Sequence, residues 1–273
     1  MVSFREHKFI AESDPFELGI DRCWHNGLWL DSEAVRSIAG NMCTNAAAWH
    51  REVTENELQL LGSSCALHYR GRYFVIGTRH QFKNTGISEG EFKKVGQLIL
   101  SEDAIITNSG YFIYGGEEAV REDDRYDIVA FFFDEQAEIH REFRGRCFEF
   151  SNVWNIKPQE IFKCYAVGCA YSDQILKPYD TRELHLVRRN IECEYVGGTS
   201  MSGVHRIRNL NDEDFLPDGM SGGSVIFIRK SVFGNRLEFG GMIQRGGQDF
   251  FYFIDAKKIA QFLDTSIDLE EHP

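Results

Sequence analysis

The sequence feature that most constrains the fold is a long series of short apolar runs separated by turn-forming residues. Ser64–Tyr69 and Arg72–Thr78, joined by Arg70-Gly71, are typical of a β-hairpin. Many short runs rich in β-branched and aromatic residues indicate an all-β sandwich or barrel. The further predicted strands are 95–100, 105–107, 111–114, 128–133, 162–170, 184–187, 193–196, 204–207, 225–229, 237–244 and 250–254.

Both ends of the chain depart from this pattern. A C-terminal helix is predicted over about 255–264, with Asp255 as its N-cap, because three apolar residues fall on one helical face: Ile259, Phe262 and Leu263. Near the other end, a helix is predicted from Ser32 toward Trp49. We therefore expect an N-terminal extension over residues 1–60, which contains this helix, and a main β domain over 61–273.

Composition excludes several classes of partner. The formal net charge of -12 and the pI near 5.3 argue against binding nucleic acid or an anionic membrane. The first residues lack the apolar core of a signal peptide, and no stretch approaches the roughly 20 apolar residues of a membrane span. The seven cysteines include no C-x-x-C pair, so we expect buried reduced thiols and a cytoplasmic protein.

A glycine-rich turn, Asp218-Gly219-Met220-Ser221-Gly222-Gly223, precedes the apolar run Val225–Ile228. Acyl-transfer chemistry needs a serine in such a turn, because glycines allow a sharp bend and let a substrate carbonyl approach backbone N–H groups. The same residue types also form ordinary tight turns before strands. The turn alone therefore leaves both interpretations open.

Two residues upstream of the turn complete a possible catalytic set. Hydrolysis of an amide needs a hydroxyl, a base that accepts its proton, and an acid that holds the base in the right tautomer. His80 closes a predicted strand, Asp127 directly precedes the apolar run 128–133, and Ser221 follows in the glycine turn. A core histidine at position 80 and a strand-start cap at position 127 are the alternatives.

Three motifs in this order resemble the trypsin-like (chymotrypsin-fold) serine peptidases. They are Ile76-Gly77-Thr78-Arg79-His80, Tyr126-Asp127-Ile128-Val129-Ala130 and the glycine turn around Ser221. The resemblance covers roughly 61–265 and implies two six-stranded antiparallel β-barrels, over about 61–140 and 145–254, with the three residues between them. The α/β-hydrolases are excluded because their histidine follows the serine, whereas only His272, next to the chain end, does so here.

The resemblance also implies the roles of further residues. The N–H groups of Gly219 and Ser221 would form the oxyanion hole, and no metal or cofactor is required. The strand 241–247 would pair with the substrate backbone and form one wall of the primary pocket. Phe215, where trypsin-type enzymes carry an aspartate, argues against selection of Arg or Lys. The expected substrate-binding residues are Phe215, Gln244, Arg245 and Gly246.

Two departures from the family pattern affect how the site would be held. Secreted members usually carry a cysteine after the histidine and an aspartate before the serine, but Gln81 and Met220 stand here. Without that aspartate, activation by removal of a pro-segment is not expected.

The expected function is a serine endopeptidase that acts on a protein or peptide substrate. Because an unprocessed intracellular peptidase endangers its host, we expect narrow specificity or gating by a regulatory protein partner. The alternative is a catalytically silent trypsin-like module that only binds a partner.

Overall fold

A computed structural model gives the fold for most of the chain. It describes residues 9–11, 22–25, 28–31, 46–54, 57–84, 86, 88–92, 97–101, 104–114, 126–150, 153–171, 175–176, 184–185, 188–210, 216–231 and 234–271. Nothing is stated below about the structure of the remaining residues.

The described elements are mostly β-strands. The strands are β1 Phe9–Ala11, β2 Arg22–His25, β3 Leu28–Asp31, β4 Ala46–Thr54, β5 Glu57–Tyr69, β6 Arg72–Thr78, β7 Gln97–Ser101, β8 Ala104–Thr107, β9 Gly110–Ile113, β10 Ile128–Phe132, β11 Phe148–Glu149, β12 Ile161–Gly168, β13 Ile175–Leu176, β14 Leu184–His185, β15 Arg188–Gly198, β16 Val204–Asn209, β17 Ser224–Ser231, β18 Gly234–Gly246 and β19 Phe250–Asp255. The α-helices are α1 Arg79–Asn84, α2 Asp134–Ile139, α3 Arg141–Arg146 and α4 Ala256–Glu271, and Glu89–Glu91 and Pro158–Glu160 are short 3₁₀ segments.

The C-terminal half contains a closed antiparallel barrel of six strands. Its order is β17, β12, β15, β16, β19 and β18, and the pairing of β17 with β18 closes the ring. Outside the ring, β1 adds to β15 in parallel, β2 adds to β18 in parallel, and β3 pairs with β2. Closure leaves the six barrel strands without a free edge between them, which is how small β-domains avoid edge-to-edge aggregation.

The N-terminal half contains an eight-stranded sheet. Its path runs β8, β7, β4, β5, β6, β10 and β9, with β11 added to β5, and within the described residues the two ends of the path do not pair. The β5–β6 hairpin turns at Arg70 and Gly71, whose φ angles of 50° and 79° fit the left-handed conformation of a tight hairpin turn. The chain is therefore mostly β, with one closed barrel and a C-terminal helix.

Two central strands of the first sheet bury both of their faces. In β6, Phe74 and Ile76 pack against the barrel, while Val75 faces a separate core inside the first sheet. In β10, Ile128 and Phe132 face the barrel in the same way. Continuous apolar runs, rather than strict alternation, result when both faces of a strand are covered.

The C-terminal helix joins this shared core. Ile259, Phe262 and Leu263 are buried among residues of both sheets. The carboxylate of Asp255 accepts a hydrogen bond of 2.7 Å from the backbone N–H of Lys258, which caps the helix as predicted. The helix runs to Glu271, beyond the predicted end near residue 264.

Three sequence-based expectations change on this structure. The helix predicted toward Trp49 does not include Ala46–Trp49, because these residues form part of β4. The rest of the predicted helix, residues 32–45, lies outside the described residues. β4 pairs with β5 across the expected boundary at residue 60, because hydrogen bonds from a neighbouring strand override weak local propensity. His80 lies in the first turn of α1, since β6 ends at Thr78.

None of the helices that the structure describes is long and apolar enough to cross a membrane.

Candidate active site

The pairing of β6 with β10 brings His80 and Asp127 together. Thr78 is the register partner of Ile128, so the residues just beyond each strand end lie side by side. The backbone N–H of His80 donates to Asp127 Oδ1 at 3.0 Å, and His80 Nδ1 is hydrogen-bonded to Asp127 Oδ2. Both carboxylate oxygens therefore hold the same histidine, one through its backbone and one through its ring.

The hydrogen-bond partners define the state of the imidazole. An ionised carboxylate only accepts hydrogen bonds, so Nδ1 of His80 carries the proton and Nε2 is left as the acceptor. The Asp127 side chain is 7% exposed and that of His80 is 36% exposed. A buried acid behind a partly exposed imidazole is the arrangement that orients a general base.

The turn around Ser221 is bent by glycines in the left-handed region. Gly219 has φ +94° and Gly222 has φ +83°. A Cβ at Gly219 would lie 2.6 Å from the carbonyl oxygen of Cys169, and one at Gly222 would overlap the carbonyl of Ser63. Neither position accepts a side chain, because both the backbone angle and the surrounding space require glycine.

The backbone hydrogen bonds of this turn leave two N–H groups unused. The N–H groups of Met220 and Gly223 donate within the turn, each at 2.9 Å, and that of Gly222 donates to Ile243 of β18 at 2.7 Å. The N–H groups of Gly219 and Ser221 donate to no other residue in the described part of the chain. Two neighbouring unused donors beside a serine are the geometry that an oxyanion hole requires.

Two buried polar residues fix this turn against the first sheet. Gln81 Nε2 donates to the backbone carbonyls of Ser221 and, at 3.1 Å, of Ser63. The backbone N–H of Ser63 donates to the carbonyls of Gly219 and Ser221 at 3.0 and 3.2 Å, and its hydroxyl donates to the Gly219 carbonyl at 2.6 Å. The carbonyls of Gly219 and Ser221 are therefore both engaged by residues of the first half of the chain.

Gln81 also relates the serine turn to the histidine. It follows His80 directly in α1, and Thr78 N–H donates to its Oε1 at 3.2 Å. The same short helix thus presents the imidazole and binds the carbonyl of Ser221. Within the described contacts, no hydrogen bond joins the half-buried Ser221 hydroxyl to the imidazole, and such bonds commonly tighten only when substrate binds.

Met220 explains how the turn is held without the aspartate that the family pattern carries. Its side chain is fully buried in the barrel core, in the cluster that contains Val225 and Ile243. An apolar anchor needs no newly formed N-terminus as its ionic partner. The turn is therefore already ordered by core packing.

The expected substrate-binding residues have different environments. Arg245 is exposed and its guanidinium lies 4.8 Å from the centre of the Tyr252 ring, whereas Gln244 is buried. Gly246 pairs with Phe251, and a Cβ at this position would lie 2.7 Å from the Phe251 ring. Phe215 lies outside the described residues.

Sequence reasoning missed the supporting residues Ser63, Cys65 and Gln81. The thiol of Cys65 donates to the Gly222 carbonyl at 3.1 Å and accepts a bond of the same length from the Ser224 hydroxyl. Burial raises the pKa of this thiol to about 12. Their only local signal is polar residues in apolar runs, and their partners lie far along the chain, so pattern alone does not identify them.

The described residues contain no disulfide and no metal-binding cluster that would form a second functional site. The cysteines at 65, 147, 164, 169 and 193 are buried and form no disulfide within the described part of the chain. Among the residues that the structure describes, no group of three or more His, Cys, Asp or Glu side chains is arranged to hold a metal ion.

Comparison with known proteins adds no relative to this picture. No protein-family model matches the chain, and no curated protein matches it. The resemblance to trypsin-like peptidases therefore rests on the three motifs and on a fold with a closed six-stranded barrel that is compatible with that family.

Proposed function

We propose that this chain is a serine endopeptidase that cleaves a protein or peptide substrate through an acyl-enzyme. The observation that carries the proposal is that two consecutive residues of α1 contact the other two members of the candidate site. His80 is hydrogen-bonded to Asp127, and Gln81 donates to the carbonyl of Ser221. The proposal includes the finer fold, in which the N-terminal sheet corresponds to the first of two trypsin-like barrels.

The mechanism follows from the roles that these groups can take. Nε2 of His80 removes the Ser221 hydroxyl proton as the oxygen attacks a peptide carbonyl, while Asp127 stabilises the imidazolium that forms. The imidazolium then gives the proton to the leaving amine. In the second step His80 removes a proton from water, which attacks the acyl-enzyme, releases the carboxylic acid and restores the Ser221 hydroxyl. The N–H groups of Gly219 and Ser221 stabilise the oxyanion, by about 3 kcal/mol per donor.

Narrow specificity or a regulatory partner completes the proposal. The turn is ordered by Met220, Ser63 and Gln81, so a partner would act on substrate access or on the approach of the Ser221 hydroxyl to His80, two groups that no hydrogen bond joins among the described residues. The absence of that hydrogen bond is also the one observation that favours the second candidate, a silent module that binds partners.

A fluorophosphonate probe distinguishes these functions. We expect it to label Ser221 in the wild-type protein and not in Ser221→Ala. Labelling that requires an added partner would identify gating. Absence of labelling with cell extract present as a source of partners, in a protein shown to be folded by circular dichroism, would contradict the peptidase and favour the binding module.

A further inference from the structure

A cationic pocket lies beside β18, the strand that is hydrogen-bonded to the serine turn. Its volume is about 340 Å³, which is enough for one or two side chains. The turn between β15 and β16 forms one side of the pocket, and β16, β18 and β19 form the rest. The residues that matter for its chemistry are Thr199, Ser200, Met201, Arg206, Arg245 and Tyr252.

The charge of this pocket is opposite to that of the whole chain. The chain carries a formal net charge of -12, yet Arg206 and Arg245 both line the pocket and no acidic residue does. Neither arginine forms an ion pair with a carboxylate in the described part of the chain. Two guanidinium groups without a carboxylate partner at one cleft favour an anionic ligand.

Both arginines are held in place by aromatic rings. The guanidinium of Arg206 lies 4.9 Å from the centre of the Phe250 ring, and that of Arg245 lies 4.8 Å from the centre of the Tyr252 ring. Stacking of this kind limits the rotamers of a long side chain. The donors are therefore partly preorganised, which reduces the entropy lost when an anion binds.

The opposite wall of the pocket is a tight turn. The Thr199 hydroxyl donates to the carbonyl of Val204 at 3.0 Å, and the Thr199 N–H donates to the same carbonyl at 2.9 Å. Gly203, with φ +72°, completes the reversal. The wall is thus fixed by its own hydrogen bonds, and the pocket exists without a ligand.

The position of the pocket relates it to Ser221. Ile243 of β18 exchanges two backbone hydrogen bonds of 2.7 Å with the serine turn, through Gly222 and Gly223. Arg245 follows two residues later, about 7 Å along the strand. A peptide that lies along this strand with a carbonyl at Ser221 would therefore place a neighbouring side chain at the pocket.

We propose that this pocket binds an acidic side chain of the substrate, at one of the second to fourth residues on the N-terminal side of the cleaved bond. Two arginines can share one carboxylate through charge-assisted hydrogen bonds, which a neutral glutamine of the same shape cannot replace. The inference rests on the proposed peptidase function and adds a substrate class to it. It also fits the expectation, from Phe215, that the primary pocket does not select Arg or Lys.

The test uses pairs of peptidyl phosphonate probes that react with a catalytic serine. The members of a pair differ only by Glu or Gln at one of the three positions before a mixed apolar residue at the reactive end. We expect the Glu member to label about tenfold faster at one of these positions. In Arg206→Gln and Arg245→Gln, the ratio should fall to about two or less, and Arg245→Glu should favour a Lys probe.

Arg208→Gln provides the matched control. Arg208 lies on the same strand as Arg206 but is exposed, pairs with Glu194 and does not line the pocket. This variant loses the same charge and should keep the full Glu-to-Gln ratio, and melting curves would show whether each variant is folded.

The outcomes separate the two proposals. Equal labelling by Glu and Gln probes at all three positions, in a protein that reacts with a simple fluorophosphonate, overturns the acidic preference and leaves the peptidase in place. A ratio that falls equally in Arg208→Gln overturns the role of the pocket. No reaction with any serine-directed probe contradicts the peptidase, and the substrate preference fails with it.

Discussion

Two histidines of this chain each contact an aspartate, and they differ in what the second ring nitrogen does. His80 contacts Asp127 through Nδ1, and its Nε2 has no hydrogen-bond partner in the described part of the chain. His205 is bound at both nitrogens, by the Tyr195 hydroxyl at 2.7 Å and by Asp255 at 3.2 Å, and its ring stacks on Phe253.

Under the proposed function, this difference separates the histidine that acts as a base from one that only supports the fold. With Asp255 as acceptor at Nε2, His205 carries its proton there and Nδ1 accepts from tyrosine, which is the opposite tautomer to that of His80. Both ring nitrogens of His205 are hydrogen-bonded within the protein, whereas Nε2 of His80 has no such partner among the described residues. A carboxylate partner alone therefore does not indicate a catalytic histidine, and the available second nitrogen is what makes His80 the candidate base in the proposed function.

The largest effect should come from removing each histidine in turn. Under the proposed mechanism, His80→Ala lowers kcat/KM by about 10⁴-fold to 10⁶-fold, because the base is lost. His205→Gln should leave kcat/KM within about threefold and lower the free energy of unfolding by about 1–2 kcal/mol, through lost hydrogen bonds. Peptide hydrolysis assays and urea denaturation measure the two effects, and comparable activity losses in both variants would break the comparison.

The next effect concerns the two aspartates. Asp127→Asn should lower kcat by about 10⁴-fold, because an amide can stabilise the wrong tautomer of His80. Asp255→Asn is the matched control, since asparagine is an equally good helix N-cap and keeps a hydrogen-bonding side chain beside His205. Steady-state kinetics at neutral pH would measure both, and retention of more than a tenth of the activity by Asp127→Asn would argue against its role.

A smaller effect should follow from removing the amide that joins α1 to the serine turn. Gln81→Ala leaves the carbonyls of Ser63 and Ser221 with fewer partners, so we expect the free energy of unfolding to fall by about 2–3 kcal/mol. Labelling of Ser221 by fluorophosphonate should slow by about 10-fold to 100-fold, because the serine turn shifts.

The exposed Gln261 of α4 gives the control for this variant. Gln261→Ala should change stability by about 0.5 kcal/mol or less, since a surface substitution removes no buried contact. Labelling at the wild-type rate in Gln81→Ala would show that the amide contributes to stability alone.

The smallest effect should be that of a thiol reagent. Because the pKa of the Cys65 thiol is raised to about 12 by burial, it stays protonated and unreactive at pH 8 in the folded protein. We expect iodoacetamide to leave Cys65 unmodified by mass spectrometry and hydrolysis unchanged. Rapid alkylation of Cys65 in folded protein, with loss of activity, would contradict a serine-based site.

The elements that the sequence predicts well are those with strong local signals. The β5–β6 hairpin follows from Arg70-Gly71, and the cap of α4 follows from Asp255. The strand β4 has a weak local pattern and forms through its pairing with β5 and β7. The six-residue helix α1 is also stabilised by contacts outside itself, which its His80 and Gln81 make with residues far along the chain. Closure of the barrel through β17 and β18 is likewise decided by register between strands, which periodicity does not encode.

The candidate site divides in the same way. The three residues with a proposed chemical role, His80, Asp127 and Ser221, stand in short motifs that can be recognised from the sequence. Ser63 and Gln81, which hold the serine turn, contact it from 158 and 140 residues away, so their partners emerge only once the two sheets are packed. The candidate reactive residues can therefore be recognised from short sequence motifs, whereas the residues that position them cannot.

The hydrogen bonds of the Gln81 amide have a consequence for the conditions under which the site can assemble during folding. Where a sulfur bridge would require an oxidant and an exchange of electrons, this joint requires only that two surfaces meet with their donors and acceptors aligned. Reductants do not break these hydrogen bonds, and their formation requires no redox step. The link that Gln81 makes between α1 and the serine turn therefore does not depend on whether the surroundings are oxidising or reducing.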